Sequence, residues 1–195
     1  MRHLLCTVGV AVLLSACSDS GPTFTSEYTT INRDKCTLLS QDVEMGTASW
    51  RCEPFRGIEV HMSEGDLRAY LSFQTGGEGM WINNPSVAPY NKLGKTLEWR
   101  LAYEGERWTP VATIVRTFTQ IQTGEDEFAE GEVLVVSRFD GKETCHMAYV
   151  DVPANPDAIG LARDTADVYA LDFECGEDEV IRVGNPGASL PLSIE

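Results

Sequence analysis

The chain has 195 residues, a formal net charge of −15 and a sequence pI near 4.5, and 43% of its residues are hydrophobic. This composition is typical of a water-soluble globular protein, and the length suits one domain with a single core. The excess of acidic residues argues against direct binding to DNA, RNA or anionic membrane surfaces, because clustered lysine and arginine bind phosphate.

Residues 1–16 have the pattern of an export signal. Arg2 supplies a positive start, and residues 4–14 form an uncharged apolar stretch that is too short to span a bilayer. This stretch ends in a tetrapeptide that resembles the lipobox of bacterial lipoproteins, Leu14-Ser15-Ala16-Cys17. The resemblance implies cleavage before Cys17, lipidation of its sulfur and an anchor in a membrane of the cell envelope, facing the periplasm or the exterior. The alternative is an ordinary secretory signal cleaved near Ala16.

The cysteine count agrees with export and lipidation. Of six cysteines, Cys6 leaves with the signal and Cys17 takes the lipid, which leaves four. An even number is typical of an oxidising compartment, whereas plain secretion would leave Cys17 as an odd thiol. Residues 17–35 predict a tether, because they contain few large apolar side chains. A single domain is expected over residues 36–184, followed by a loosely ordered tail, 185–195.

From Cys36 onward the dominant hydrophobic period is two, which predicts strands. Three hairpins are expected, over residues 57–73, 97–119 and 133–152. A long loop rich in glycine, asparagine and proline, 74–95, follows the first hairpin. Pro110 lacks an amide donor, so it is predicted at a sheet edge or a bulge.

One helix is predicted over residues 156–174. Asn155 is the expected N-cap, and Gly176 follows the expected helix end. These elements predict an α+β domain in which an antiparallel meander of about six to eight strands carries one C-terminal helix packed on the sheet.

Element lengths predict the disulfide pairing. A strand starting at Cys145 runs about 23 Å, and the following helix returns about 27 Å, which brings Cys145 to Cys175. The remaining pair is then Cys36 with Cys52. Redox or metal chemistry is the alternative, but the chain has no Cys-x-x-Cys and no zinc-site spacing. We therefore predict two structural disulfides and no metal site.

The sequence carries no familiar catalytic motif, so no catalytic residue and no cofactor are predicted. Only His61 and His146 remain after signal removal. Adjacent residues on a strand point to opposite faces, which disfavours a catalytic pair of Cys145 and His146. The acidic run 124–132 is predicted to be a solvated loop, with loose cation binding as the alternative.

Four tryptophans raise the question of ligand stacking. Trp50, Trp99 and Trp108 lie in strand-like runs, so they are expected in the core or in cross-strand pairs. Trp81 lies in the glycine-rich loop, where it either plugs the core or forms a recognition tip.

Several stretches resemble bacterial exported proteins of unknown function. They include Gly65-Asp66-Leu67-Arg68, Leu97-Glu98-Trp99-Arg100-Leu101, Cys145-His146 and Asn155-Pro156-Asp157-Ala158. The resemblance covers most of residues 36–175 and implies one domain with a four-cysteine framework, without implying any site residue.

The leading functional prediction is an acidic, non-catalytic envelope lipoprotein that binds an envelope protein partner or supports the envelope. A sharper version is an inhibitor of a cationic hydrolase such as a lysozyme, with acidic loops entering a basic cleft. The first alternative is a carboxylate-dependent hydrolase acting on envelope glycans. The second is a small-ligand module that uses Trp81.

Overall fold

The computed structural model describes residues 21–75, 87–88, 90–141 and 143–190. The export signal, Cys17 and Trp81 lie outside these residues. The described strands are β1 (Phe24–Thr30), β2 (Thr37–Asp42), β3 (Thr47–Phe55), β4 (Ile58–Gly65), β5 (Arg68–Gln74), β6 (Asn91–Glu104), β7 (Arg107–Gln122), β8 (Phe128–Phe139), β9 (Thr144–Asp151) and β10 (Ile181–Val183). A helix, α1 (Ala158–Tyr169), follows β9, and a short 3-10 helix spans Arg33–Lys35.

The strands divide into two sheets. A six-stranded sheet has the order β1-β6-β7-β8-β9-β10, in which only β10 runs parallel to its neighbour. A four-stranded sheet has the order β2-β3-β4-β5 and is antiparallel throughout. The α+β class with one described helix and two disulfides agrees with the prediction, but one continuous meander is not confirmed. Strand alternation shows that a face is buried, and it does not show which sheet a strand joins.

The six-stranded sheet is the middle of three layers. Alternate residues of β6, such as Trp99, point to the four-stranded sheet, where the Trp99 ring stacks 4.5 Å from Phe55 and lies edge-on 5.0 Å from Phe73. Ala102 of the same strand faces α1 on the opposite side, in a second apolar cluster that contains Ala162. The sheet is therefore covered on both faces, which explains its long hydrophobic runs.

The three predicted hairpins are confirmed as β4–β5, β6–β7 and β8–β9. The first turns at Asp66-Leu67 and the second at Gly105-Glu106, where both central residues have positive φ, as in the type I′ turns of two-residue hairpins. Pro110 lies opposite Leu101, beside a register shift between β6 and β7, which confirms its predicted place at a bulge.

The predicted helix cap was wrong. Asp157 is the N-cap of α1, and its side chain accepts a hydrogen bond from the Gly160 amide at 3.2 Å. Asn155 instead donates its side-chain amide to the Asn185 carbonyl at 2.9 Å and accepts the Asn185 amide at 2.7 Å. Asn155 therefore fixes the chain after β10 rather than the start of the helix.

The helix is also shorter than the predicted 156–174. It ends at Tyr169, and the chain then turns to bring Cys175 back to β9. Gly176, with φ 86°, lies in this later turn and does not cap the helix. Apolar residues at helical spacing continue beyond α1 because residues such as Phe173 still pack on the same face of the sheet.

Both predicted chain ends contain ordered structure. Part of the expected tether forms β1, which pairs with β6 along its whole length. In the expected loose tail, Ser189 and Leu190 are buried, and the Ser189 amide donates to Asp151 Oδ2 at 2.8 Å. The folded domain therefore extends beyond the predicted limits of 36 and 184.

Two disulfides are confirmed, Cys36–Cys52 and Cys145–Cys175. The first ties the end of the 3-10 helix to β3, and the second ties the segment after α1 to β9. Disulfides persist in oxidising compartments, so the pair suggests an exported protein. Within the described part of the chain, no helix has the length and apolar character that crossing a membrane requires.

Candidate binding groove

A groove of about 850 Å³ opens between the two sheets at one end of the molecule. One wall comes from the 3-10 helix and the β4–β5 turn, and the other comes from the start of β6 and from residues 118–120, near the end of β7. Small-molecule sites occupy about 300–1,000 Å³, so the groove is large enough for a ligand.

The groove has an apolar floor and an apolar rim. Ile31 and Met62 are buried at the floor, beside the half-buried Leu93. At the rim, Leu67 is 70% exposed and Tyr90 is 42% exposed, although both are large apolar side chains. Exposed apolar residues that cluster at one concavity are typical of a binding surface.

A bulge in β6 shapes the second wall. Leu93 pairs with Thr117 and Leu97 with Val115, so the three residues of 94–96 lie opposite Arg116 alone. In a regular strand, residues three apart point to opposite faces, whereas this bulge allows Lys92 and Lys95 to line the same groove.

Gly94 is required for this arrangement. A Cβ atom at Gly94 would lie 2.9 Å from the backbone oxygen of Arg116, so any side chain would force β6 and β7 apart. The glycine therefore permits the close approach that places the two lysines.

The lining of the groove carries more positive than negative charge, although the chain carries −15. The cationic lining residues are Arg33, Arg68, Lys92 and Lys95, and the acidic ones are Asp34, Glu64 and Glu130. The lining thus has an excess of one positive charge on a protein that carries −15, and its cations offer contacts to an anionic group.

The two arginines and the two lysines have different surroundings. Arg33 pairs with Glu64 at 3.1 Å and lies 5.7 Å from the Trp50 ring centroid, and Arg68 pairs with Asp66 at 2.7 Å. Lys92 and Lys95 are exposed and form no ion pair with any described residue. The lysines are therefore the cations of the groove whose charge is available to a ligand.

Asn91 holds the two walls in place. Its side-chain oxygen accepts the Ala69 amide at 2.9 Å, and its backbone amide donates to the Leu67 carbonyl at 3.2 Å. These bonds join the start of β5 to the start of β6, so the two walls of the groove are linked by the chain's own hydrogen bonds.

The two histidines lie away from the groove lining. His146 Nδ1 is 2.8 Å from the Tyr149 hydroxyl, because a bulge at Met147 brings residues three apart to one face. Burial lowers the pKa of His146 to about 4. Cys145 packs toward α1, so the prediction that His146 faces away from it is confirmed.

His61 belongs to a polar cluster on the four-stranded sheet. Its Nε2 atom is 3.0 Å from Glu59 Oε2, and the Gln74 amide donates to the same oxygen at 3.2 Å. The hydrogen bond from His61 holds the pKa of the Glu59 carboxyl below its ordinary value, with a smaller contribution from Gln74.

Two buried or half-buried carboxylates brace α1 against the sheet. Glu98 accepts from Arg163 Nε at 2.7 Å, and Asp167 accepts from Arg100 at 2.5 Å. Hydrogen bonding to Glu98 raises the pKa of Arg163. These pairs lie on the helix side of the six-stranded sheet, remote from the groove.

Asp151 is buried without a cationic partner among the described residues. It accepts hydrogen bonds from the Ala154 and Ser189 amides at 3.2 Å and 2.8 Å, so it organises two backbone turns.

The acidic residues of 124–127 lie in the exposed β7–β8 loop, and only Glu130 of the predicted acidic run lines the groove.

Of the tryptophans, Trp99 is fully buried, and Trp50 and Trp108 pack half-buried against the same core. Trp81 falls in the part of the chain that the structure leaves undescribed.

No group of three or more described histidine, cysteine, aspartate or glutamate residues is arranged to hold a metal ion.

The groove was not predictable from the sequence. Its lining comes from six separate stretches of the chain, and none carries a known motif. Gly94 gave no local signal, because it falls in the predicted loop 74–95, whereas the structure begins β6 at Asn91 and so places the glycine inside a strand. Comparison of the chain with protein-family models, with curated proteins and with solved structures found no match.

Proposed function

We propose that this protein is a non-catalytic binding protein of the bacterial cell envelope, exported and anchored through lipidated Cys17. Its ligand site is the groove between the two sheets. The observation that carries the proposal is the combination of apolar floor, exposed apolar rim and available lysines in one concavity of an acidic protein. The lipobox resemblance and the two disulfides support the location.

A binding role is favoured over the hydrolase alternative. A glycosidase needs two carboxylates that face one cleft, a few ångströms apart. The Glu98 and Asp167 carboxylates are instead paired with Arg163 and Arg100 on the helix side of the sheet. In the groove, Glu64 is paired with Arg33, and the other two lining carboxylates, Asp34 and Glu130, are exposed to solvent. The groove offers cations and apolar surface, which suit binding.

Intact mass measurement tests the anchor and the binding role together. Protein from the membrane fraction is measured natively and denatured, with and without reduction. We expect a chain starting at Cys17 with added acyl mass, a gain of four hydrogens on reduction of the two disulfides, and extra native mass from a bound ligand. A Cys17→Ser chain is the control and should leave the membrane fraction. A native mass equal to the denatured mass in repeated preparations would count against a resident ligand.

A protein partner is the second candidate function, and one observation favours it. The β7–β8 loop presents acidic residues 125–127 beside Phe128, which is 54% exposed. An acidic loop with an exposed aromatic residue suits the basic cleft of a cationic hydrolase. Titration of lysozyme with the protein should then reduce its activity, and Glu125→Gln/Glu127→Gln should weaken the effect. Full lysozyme activity at high molar excess would remove this candidate for that enzyme.

A further inference from the structure

We infer that the groove binds an anionic amphiphile, a single long alkyl chain with an acidic head group, of which a long-chain fatty acid is the simplest member. This inference rests on the proposed function and adds the chemical class of the ligand.

Each wall of the groove combines a cation with an apolar side chain. On the wall from the β4–β5 turn, Leu67 precedes Arg68, and on the β6 wall Leu93 lies between Lys92 and Lys95. A ligand lying between the walls therefore meets apolar contacts and positive charge together. This combination matches a molecule that has an alkyl part and an anionic part, and a purely polar anion would leave the apolar surface unused.

The head group is placed by the two lysines. Both side chains are exposed at the groove, and neither forms an ion pair with a described residue. Across the groove, the Nε atom of Arg68 is buried and has no hydrogen-bond partner among the described residues. An acidic head group would supply the negative counter-charge that the lysines lack and would accept charge-assisted hydrogen bonds from them.

The alkyl chain is placed by the floor. Ile31 and Met62 are buried beneath the half-buried Leu93 and Phe118, and the exposed ring of Tyr90 stands at the rim. Covering this surface removes apolar area from water on both partners, which provides the main favourable free energy of binding. The charge then selects the ligand by its head group.

A cationic head group is disfavoured in the groove because of the two lysines. An alkyl chain with a cationic head would bring a third positive charge beside Lys92 and Lys95, and like charges repel at this distance. The overall charge of −15 attracts cations to the rest of the surface, so discrimination between the two head groups reports on the groove itself.

Isothermal titration of the full chain carrying Cys17→Ser, purified without detergent, tests the inference. The probes are dodecanoate, dodecyltrimethylammonium and butyrate, each below its micelle concentration. We expect dodecanoate to bind, and we expect both the cationic amphiphile and the short-chain anion to bind at least tenfold more weakly. Added salt should weaken dodecanoate binding, because the lysines are exposed.

Lys92→Gln/Lys95→Gln provides the test at residue level, with Lys35→Gln as the matched control. Lys35 is an exposed lysine that lies outside the groove lining. The double variant should bind dodecanoate about tenfold more weakly, from two exposed charge contacts, whereas the control should bind normally. Thermal unfolding checks that all three chains are folded.

The outcomes separate the inference from the proposed function. The inference is overturned if the double variant binds dodecanoate as tightly as the control does. It is also overturned if the unmodified groove binds dodecyltrimethylammonium as tightly as dodecanoate. Extra native mass from a neutral or cationic molecule also overturns it while the binding role stands. If no probe binds and no native mass is found, both the inference and the binding role fail.

Discussion

Leu67 has a backbone conformation that its residue type disfavours. It is the second central residue of the β4–β5 turn, with φ 61°, and its side chain is 70% exposed. Glycine is strongly preferred at this position of a type I′ turn, and a strained leucine costs about 1–3 kcal/mol. We expect Leu67→Gly to raise the free energy of unfolding by about 1 kcal/mol and to weaken dodecanoate binding. Urea unfolding and titration measure the two effects.

Glu106 is the matched control for this change. It holds the same turn position in the β6–β7 hairpin, with φ 68°, and does not line the groove. Glu106→Gly should also stabilise the fold, because the strain is similar, but should leave ligand binding unchanged. If Leu67→Gly stabilised the protein with no loss of binding, the leucine would have no role at the rim.

His146 makes stability depend on pH. Burial lowers the pKa of His146 to about 4 in the folded protein, whereas the ordinary value is 6.5. Between these pH values the unfolded chain binds a proton that the folded chain does not, so stability falls as the pH falls from 6.5 to 4. His146→Gln removes this proton uptake and retains a polar group near the Tyr149 hydroxyl.

The variant should therefore lose less stability than the wild type on acidification. The difference should be about 1–2 kcal/mol, because the half-buried ring retains some contact with water. Urea unfolding from about pH 7 to about pH 4.5 gives the two curves, and effects of the carboxyl groups largely cancel in their difference. If the stabilities of the variant and the wild type fell in parallel over the whole pH range, protonation of His146 would not contribute to the loss of stability.

At the scale of elements, an ion pair fixes α1 on the six-stranded sheet. Arg100 is buried on β6, and Asp167 of α1 is its carboxylate partner at 2.5 Å. Asp167→Asn would leave a buried guanidinium without a counter-charge, so we expect a loss of about 3 kcal/mol of stability. Asp164→Asn, an exposed change on the same helix, should alter stability by less than about 0.5 kcal/mol. Equal stabilities of the two variants in urea unfolding would refute this role for the pair.

The elements that were predictable from sequence are those specified locally. The β4–β5 and β8–β9 hairpins follow from alternation and from the turn residues between the strands. The helix was found from its spacing, but its cap was not, because Asn155 and Asp157 are equally good capping residues and only the fold decides between them. The disulfide pairing followed from element lengths.

What was not predictable depends on contacts between distant segments. β1 lies in a polar stretch and is a strand only because β6, about 70 residues later, provides an edge for it. The division into two sheets has the same origin, since both sheets consist of alternating hairpins. The groove exists only where those sheets separate, and the bulge at 94–96 aims the lysines into it.

At the scale of the whole molecule, the two disulfides stabilise opposite sides of the structure. Cys36–Cys52 is next to the 3-10 helix that carries Arg33 on a groove wall, whereas Cys145–Cys175 lies on the helix side of the six-stranded sheet. They enclose sequence separations of 16 and 30, so removal should cost about 3 and about 3.5 kcal/mol from chain entropy. Similar losses of stability are thus expected from both.

Their effects on binding should differ, which makes the pair a test of where the site lies. Cys36→Ala/Cys52→Ala frees the wall that holds Arg33, so dodecanoate binding should weaken well below the unfolding temperature. Cys145→Ala/Cys175→Ala leaves both groove walls in place, so its binding should match the wild type while the fold is intact. Titration at a temperature where both variants are fully folded by circular dichroism gives the comparison. Weaker binding only in the second variant would place the ligand on the helix side of the sheet and exclude the groove, because the disulfide on the groove wall would then have no influence on it.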